Sequence, residues 1–225
     1  MKLRNIIALV IAMAAAQVLY AQDGCDDDCK LNSNLAMIVN VPVNSTAQVL
    51  GTGWGGVGGA GYNFNQRNAI VGEFLWNRDW TYPGALQALE AVSQTGSMRG
   101  NTDLFALTAA YRYEIRGRLL GGYLIGGGGW YFRNTWLSEH VTSTPGIPCA
   151  PAWLWWGFTC TSGTVTPGQT RGGFNSNAFG ANVGGGFTVR VGGAPNRLYS
   201  EVRYHYAPTK NINTQFIAVT VGIRY

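Results

Sequence analysis

The chain has 225 residues, 46% hydrophobic, 12% aromatic and only 12% charged, with a formal net charge of +5; an ordinary soluble domain is about 25% charged. Its 32 glycines follow no three-residue period, which excludes collagen, and the low proline count of 8 with many aromatics excludes a wholly disordered chain. No run of ~20 apolar residues exists, so no helix of the sequence is expected to cross a membrane.

Residues 1–21 (MKLRNIIALVIAMAAAQVLYA) place Lys2 and Arg4 before an apolar stretch, Ile6–Ala16, and end on the small residue Ala21. That is the pattern of a secretory signal peptide, too short to span, with Ala14–Ala16 an earlier cleavage alternative. Residues 22–34 then form a short segment holding Cys25, Asp26, Asp27, Asp28 and Cys29. In an exported chain its cysteines point to a local Cys25–Cys29 disulfide, with metal binding the rival, and Cys149–Cys160 to a second.

From residue 35 onward the hydrophobic period is two, not 3.6, and eight strands are expected. Residues 35–43 set Leu35, Met37, Val39 and Val41 opposite Ile38 and Asn40; Pro42 weakens this strand because it cannot donate to a ladder. Residues 52–64 set Trp54, Ala60, Tyr62 and Phe64 opposite glycines and Asn63. Residues 69–77 set Ile70, Phe74 and Trp76 against Glu73, and residues 102–114 set Phe105, Leu107, Tyr111 and Tyr113 against Thr108, Arg112 and Glu114. Residues 118–133 are too glycine-rich for a facing to be assigned. Residues 176–191 set Phe179, Val183, Phe187, Val189 and Val191 against Asn182, Thr188 and Arg190; residues 198–206 set Leu198, Val202, Tyr204 and Tyr206 against Tyr199, Glu201, Arg203 and His205. The last strand, 214–225, carries Ile217, Val219, Val221, Ile223 and Tyr225 on one face, and Phe216, Ala218, Thr220, Gly222 and Arg224 on the other.

Connections alternate between short (65–68, 115–117, 192–197) and longer, the longest being 78–101 and 134–174. Short turns at one end and long loops at the other are the pattern of an all-β, eight-stranded antiparallel up-and-down transmembrane β-barrel, occupying residues 35–225 with both termini on the short-turn, periplasmic side. A soluble barrel would show the same alternation inside out. Lipid outside is favoured because the polar face is mostly small and uncharged, as a narrow lumen requires, and because the apolar face ends in aromatics suited to membrane interfaces. Past residue 21 the chain also holds 12 arginines against two lysines, the choice expected where charges are enclosed and must hydrogen-bond several ways. No basic cluster supports nucleic-acid binding.

With the apolar face outward, the lumen receives Glu73, Arg112, Glu114, Arg190, Glu201, Arg203, His205 and Arg224. Enclosed charges must be paired, so a salt-bridged plug is expected, with a gated ion path the functional rival. The 134–174 loop carries Trp136, Trp153, Trp155, Trp156 and Phe158, which serve either as a binding surface or as packing over the barrel mouth. In the 78–101 loop, Ala85–Ser93 reads as one short helix. Catalysis has little support. Ser138, Glu139 and His140 are sequence neighbours that do not form a triad, the glycine runs lack a phosphate-loop context, and no cofactor or metal is expected.

These residues resemble the small eight-stranded outer-membrane barrels of the opacity-protein and adhesin type. The resemblance covers residues 35–225 and rests chiefly on the C-terminal strand with its terminal aromatic Tyr225, together with YNFNQRNAIVGEF (62–74) and EVRYHYAP (201–208). It implies outer-membrane localisation, lipid as the main partner, and a C-terminal signal (Ile217, Val219, Val221, Ile223, Tyr225) read by the barrel-assembly machinery. It further implies a monomer with a structural or surface-display role, adhesion to or binding of an extracellular ligand that the resemblance does not identify. A small-solute transport barrel is the alternative reading, and a lipid-modifying enzyme a third. RYHYAP is similar to the His-x-Ser segment of lipid A deacylases, but Ala207 stands at the serine position.

Overall fold

The structure, a computed structural model, describes residues 30–87, 98–117, 119–139, 149–154, 157–162, 170–190, 196–210 and 213–225. The expected signal peptide and the pair Cys25 and Cys29 lie outside the described residues. Ten strands are described: β1 (Leu31–Pro42), β2 (Leu50–Asn63), β3 (Asn68–Thr81), β4 (Met98–Arg116), β5 (Leu120–Glu139), β6 (Cys149–Leu154), β7 (Gly157–Ser162), β8 (Thr170–Arg190), β9 (Arg197–Ala207) and β10 (Thr214–Arg224). Eight of them close into one antiparallel barrel in the order β1-β10-β9-β8-β5-β4-β3-β2, while β6 and β7 form a separate hairpin within the β5–β8 connection.

Closure fixes the geometry. Stepping from Asn32 through successive register partners Gly61, Val71, Ala110, Gly127, Asn182, His205 and Phe216 returns to β1 at Pro42, ten residues along. Eight strands with that stagger tilt by about 40° and leave an interior that side chains fill. Pro42 pairs with Phe216, beyond the last β1–β2 partners Asn40 and Gly53, so its missing N–H falls at a strand end rather than inside the ladder. Asn65 shapes the β2–β3 turn: its Oδ1 accepts from the backbone N–H of Arg67 (2.9 Å) and Asn68 (2.8 Å), an Asx turn.

Period two places alternate residues on opposite faces, and the wall is inverted relative to a water-soluble barrel. Phe179 is 78% exposed, Phe187 72%, Met37 71% and Leu124 69%. Arg112 and Arg133 are among the largest fully buried side chains. On β4 the outward positions Ile115, Tyr113, Tyr111, Ala109, Leu107 and Phe105 are apolar in succession. At ~3.4 Å per residue and that tilt, the band is about 25 Å tall, the height of a lipid-facing girdle. Just beyond it, Arg78 and Asp103 face each other across β3 and β4 in a two-point ion pair (2.7 and 2.9 Å). Aromatic rings run along the upper band: Trp54 on Trp76 (5.9 Å), and Phe74, Phe105, Phe132 and Trp130 in a chain at 6.2–6.3 Å.

Several boundaries differ from the sequence expectation. β1 begins at Leu31, so the last four residues of the 22–34 segment belong to the barrel. β3 runs to Thr81 and β4 starts at Met98, so residues 78–81 and 98–101 of the expected 78–101 loop belong to strands; residues 83–87 are helical, and 88–97 lie outside the described residues. β5 runs to Glu139 and β8 starts at Thr170, so the 134–174 loop is shorter and contains the β6–β7 hairpin. The reason is that inward alternation continues above the apolar band through Asp79, Thr81, Arg133 and Thr135, while the outward residues there turn polar and imitate loop.

Candidate functional site: the barrel interior

Each strand sends every second residue inward, so interior contacts join strands far apart in sequence. The interior stacks in layers from the short-turn end to the loop end.

At the turn end, Glu114 lies among three guanidinium groups: Arg116 Nε at 3.4 Å, and Arg112 Nε and Arg224 Nη1 at 3.6 Å. The Arg224 guanidinium sits over the rings of Tyr123 (4.6 Å) and Tyr199 (4.8 Å), a cation–π arrangement that fixes its plane. The next layer is a compact triad. Arg203 Nη1 donates to Glu73 at 2.6 Å, and its Nε donates to Glu201 at 2.8 Å, with Nη2 2.6 Å from the same carboxylate. Asn34 donates to Glu73 (2.8 Å) and the Tyr123 hydroxyl to Glu201 (2.9 Å). These short charge-assisted bonds are the strong class.

Above the triad the interior becomes aromatic and aliphatic. The His205 ring stacks on Phe216 at 4.5 Å and meets the edge of Tyr131, whose hydroxyl is 2.9 Å from His205 Nδ1. Ile38, Leu75, Ala106 and Ala218 complete this belt. At the loop end Asp79 accepts from Asn40 (3.0 and 3.1 Å) and Asn77 (2.6 Å), and Arg133 donates to Thr214 (2.7 Å). A cavity between the triad and the His205 belt, lined by Glu73, Glu201, Arg203, His205, Thr108 and Tyr199, has about 10 Å³ of free space, room for roughly one water.

Of the residues the sequence assigned to the lumen, Glu73, Arg112, Glu114, Glu201, Arg203, His205 and Arg224 are buried inside, and Arg190 is half-buried near the turn end. The facing left open over 118–133 resolves with Tyr123, Ile125, Tyr131 and Arg133 inward and Leu124, Trp130 and Phe132 outward. Sequence reasoning missed Asp79, Arg133 and Arg197, and passed over the interior tyrosines 123 and 131. Parity carried along β3 and β5 past the glycine runs would have found all but Arg197, which sits where the β8–β9 turn was expected.

The loop aromatics divide. Trp136 is on β5, in the barrel wall, and is not a loop residue. Trp153 and Phe158 are register partners in the hairpin, and Trp155 and Trp156 lie outside the described residues. In the same hairpin Cys149 pairs with Ser162 and Cys160 with Pro151, two residues out of direct register. On β10, Ile217, Val219, Val221, Ile223 and Tyr225 face outward. His205 is buried with Phe216 stacked on one face and Tyr131 at its edge, and the cavity it lines has room for roughly one water; His140 lies outside the described residues. Among the described residues no cluster of His, Cys, Asp and Glu could hold a metal.

No protein-family model matches the chain, and no curated protein matches it in sequence. Solved structures with a similar course include Neisserial surface protein A (14% identity, 87% of this chain and 96% of that one, TM-score 0.47). They also include Ail, the attachment invasion locus protein of Yersinia pestis (12%, 87% and 96%, TM-score 0.41), and the N-terminal β-barrel domain of Pseudomonas aeruginosa OprF (12%, 87% and 98%, TM-score 0.39).

Proposed function

We propose that this chain is an integral outer-membrane barrel whose interior is a structural plug, and that its role is structural or surface display rather than catalytic. One observation carries the reading: large apolar side chains cover the outside in a band about 25 Å tall while arginines and carboxylates are buried within. In hydrocarbon every backbone N–H and C=O must be satisfied internally, which a closed ladder achieves. Charges enclosed in the lumen need partners, and the Glu73–Arg203–Glu201 triad has them. At the level of the triad and His205, a cavity with room for about one water supports a plug over a solute path.

In this reading the termini and short turns face the periplasm, and the loop end with the β6–β7 hairpin is displayed outside the cell. Residues 1–21 direct export, outer-membrane lipid is the principal partner, and β10 presents the assembly signal. The barrel acts as a monomer without cofactor. Disulfides Cys25–Cys29 and Cys149–Cys160 belong to the same proposal. Intact mass after alkylation, with and without reduction, counts them, and four free thiols would remove them.

The test is behaviour in detergent. The protein should require detergent to remain dispersed, and unboiled and boiled samples should migrate differently on a gel. A monodisperse species in plain buffer overturns the reading. In planar bilayers the plug predicts no stable large conductance; steady channel openings would transfer the assignment to transport.

A further inference from the structure

At the turn end of the lumen, Glu114 stands among three arginines that approach it from two walls. Arg112, Glu114 and Arg116 are alternate residues of β4 and share its inward face. Arg224 comes from β10, which lies four strands from β4 in either direction around the barrel, on the opposite wall. The separations are 3.4 Å from Arg116 Nε, and 3.6 Å from Arg112 Nε and Arg224 Nη1, beyond the 2.7–2.9 Å of a charge-assisted bond. Glu114 Oε2 completes a hydrogen bond with neither of the two groups that flank it, and Arg112 Nε, Arg116 Nε, and Arg224 Nε and Nη1 are buried without an acceptor. One carboxylate cannot close on either wall without withdrawing from the other.

The triad beneath this layer offers it no relief. Arg203 holds Glu73 and Glu201 at 2.6–2.8 Å, and Asn34 and Tyr123 complete those carboxylates. Among the described residues, Glu114 is the only carboxylate within ion-pair distance of Arg112, Arg116 or Arg224. Arg112 and Arg224 are 2% and 5% exposed, so water does little to screen them. Buried guanidinium groups with unspent donors destabilise the fold until an acceptor reaches them. The route in passes Arg116, whose side chain is 22% exposed. The rings of Tyr123 and Tyr199 lie against the Arg224 guanidinium at 4.6 and 4.8 Å, which holds its N–H edge in a fixed orientation.

We propose that the turn-end mouth is a binding site for a phosphate-class oxyanion, held by Arg112, Arg116 and Arg224. Guanidinium forks match phosphate oxygens with paired N–H bonds. A tetrahedral anion presents acceptors to both walls at once, which a planar carboxylate does not, and the three cations outweigh the charge of Glu114. The chemistry is that of a phosphate group, whether on a free anion or on a lipid headgroup. The site goes beyond the plug reading and stands without it, because binding at the mouth needs no path past Arg203.

The experiment follows thermal unfolding by tryptophan fluorescence for the whole chain, Arg116→Gln and Arg67→Gln. A non-ionic detergent is used, since a sulfate headgroup is itself an oxyanion. Arg67 is exposed in the β2–β3 turn at the same end, so its variant reports diffuse surface charge. Inorganic phosphate, at about ten times its half-saturating concentration, should raise the midpoint by about 3–5 °C in the whole chain and in Arg67→Gln. Arg116→Gln should hardly respond, and chloride or acetate at equal ionic strength should do much less. Equal shifts in all three chains, an equal effect of chloride or acetate, or no shift at all overturns the proposal. Glycerol phosphate and short-chain phosphatidate separate the sources: protection by the first supports a free anion, protection by the second alone supports a headgroup, and protection by neither overturns the site. Phenylglyoxal labelling, read peptide by peptide on the unaltered chain, needs no variant to fold. Phosphate should slow modification of Arg116 several-fold and leave Arg67 unchanged; an unchanged rate at Arg116 refutes binding there.

Discussion

Arg203→Gln is the sharpest test of the interior. The side chain is 5% exposed and its partners Glu73 and Glu201 are 6% and 5% exposed, so solvent screening offers little discount. The substitution removes three short contacts, to Glu73 at 2.6 Å and to Glu201 at 2.6 and 2.8 Å, and leaves two carboxylates facing one another. Breaking a buried pair by removing one partner costs about 3–5 kcal/mol. Asn34 and Tyr123 still donate one hydrogen bond each to the stranded carboxylates, which keeps the cost inside that range rather than above it. Urea unfolding of vesicle-inserted protein, followed by tryptophan fluorescence and extrapolated linearly, measures the difference. The compensated variant Glu73→Gln/Glu201→Gln/Arg203→Met, which removes every charge at once, should lose clearly less than Arg203→Gln alone. A loss below about 1 kcal/mol for Arg203→Gln, the worth of an exposed pair, would refute the idea that this triad is enclosed.

Gly186 lies where a Cβ would stand 2.7 Å from both Cζ and the hydroxyl of Tyr123. The same Cβ would also stand against the Ser200 backbone oxygen, so Gly186→Ala should cost about 1–3 kcal/mol, and a Tyr123→Ala background should relieve only the part due to the ring, a partial non-additivity readable by urea unfolding. On the outer wall Val221 is 59% exposed near mid-height. Val221→Arg should destabilise the inserted barrel by about 2–4 kcal/mol; an effect within 0.5 kcal/mol, about what a water-facing site shows, would deny that this face meets lipid.

The barrel was legible because its alternation survives on most strands. On β10 and β9 each inward–outward step is chemically marked, from Ile217 beside Ala218 to Arg203 beside Val202, and these sequences alone yield the facing. Legibility failed where that contrast disappears. In β5 the run from Gly126 to Gly129 carries no side chains to assign, so the inward turn of Tyr131 and Arg133 depends on register with β8, a long-range property. At the loop end the failure has another cause. Arg78, Asp103 and Asn134 face outward above the apolar band, and polar residues on both faces look like loop although the ladder continues. The pairing inside the lumen was beyond reach for a third reason: parity says that Glu73 and Arg203 both point inward, but only the ten-residue stagger brings them to one height.

That stagger also connects glycine content to the filled interior. The radius is set by strand number and stagger, so the volume available to side chains is fixed before any are chosen. The lumen must then hold several arginines and tyrosines together, which requires bare backbone opposite the largest of them. Gly186 faces Tyr123, and Gly180 lies where a Cβ would come within 2.9 Å of the Tyr131 ring. Replacing such glycines with larger residues while keeping the tyrosines exceeds the space, and shrinking the tyrosines removes the hydroxyl that satisfies Glu201 and the ring that packs against His205. Glycine, tyrosine and ion pair are therefore one device: the glycines weaken each strand locally, and the interior network they admit joins strands on opposite sides of the barrel. A solute path would have to displace Arg203 from both carboxylates at once, at a cost similar to that of the Arg203→Gln substitution, which supports the proposed plug over a solute path.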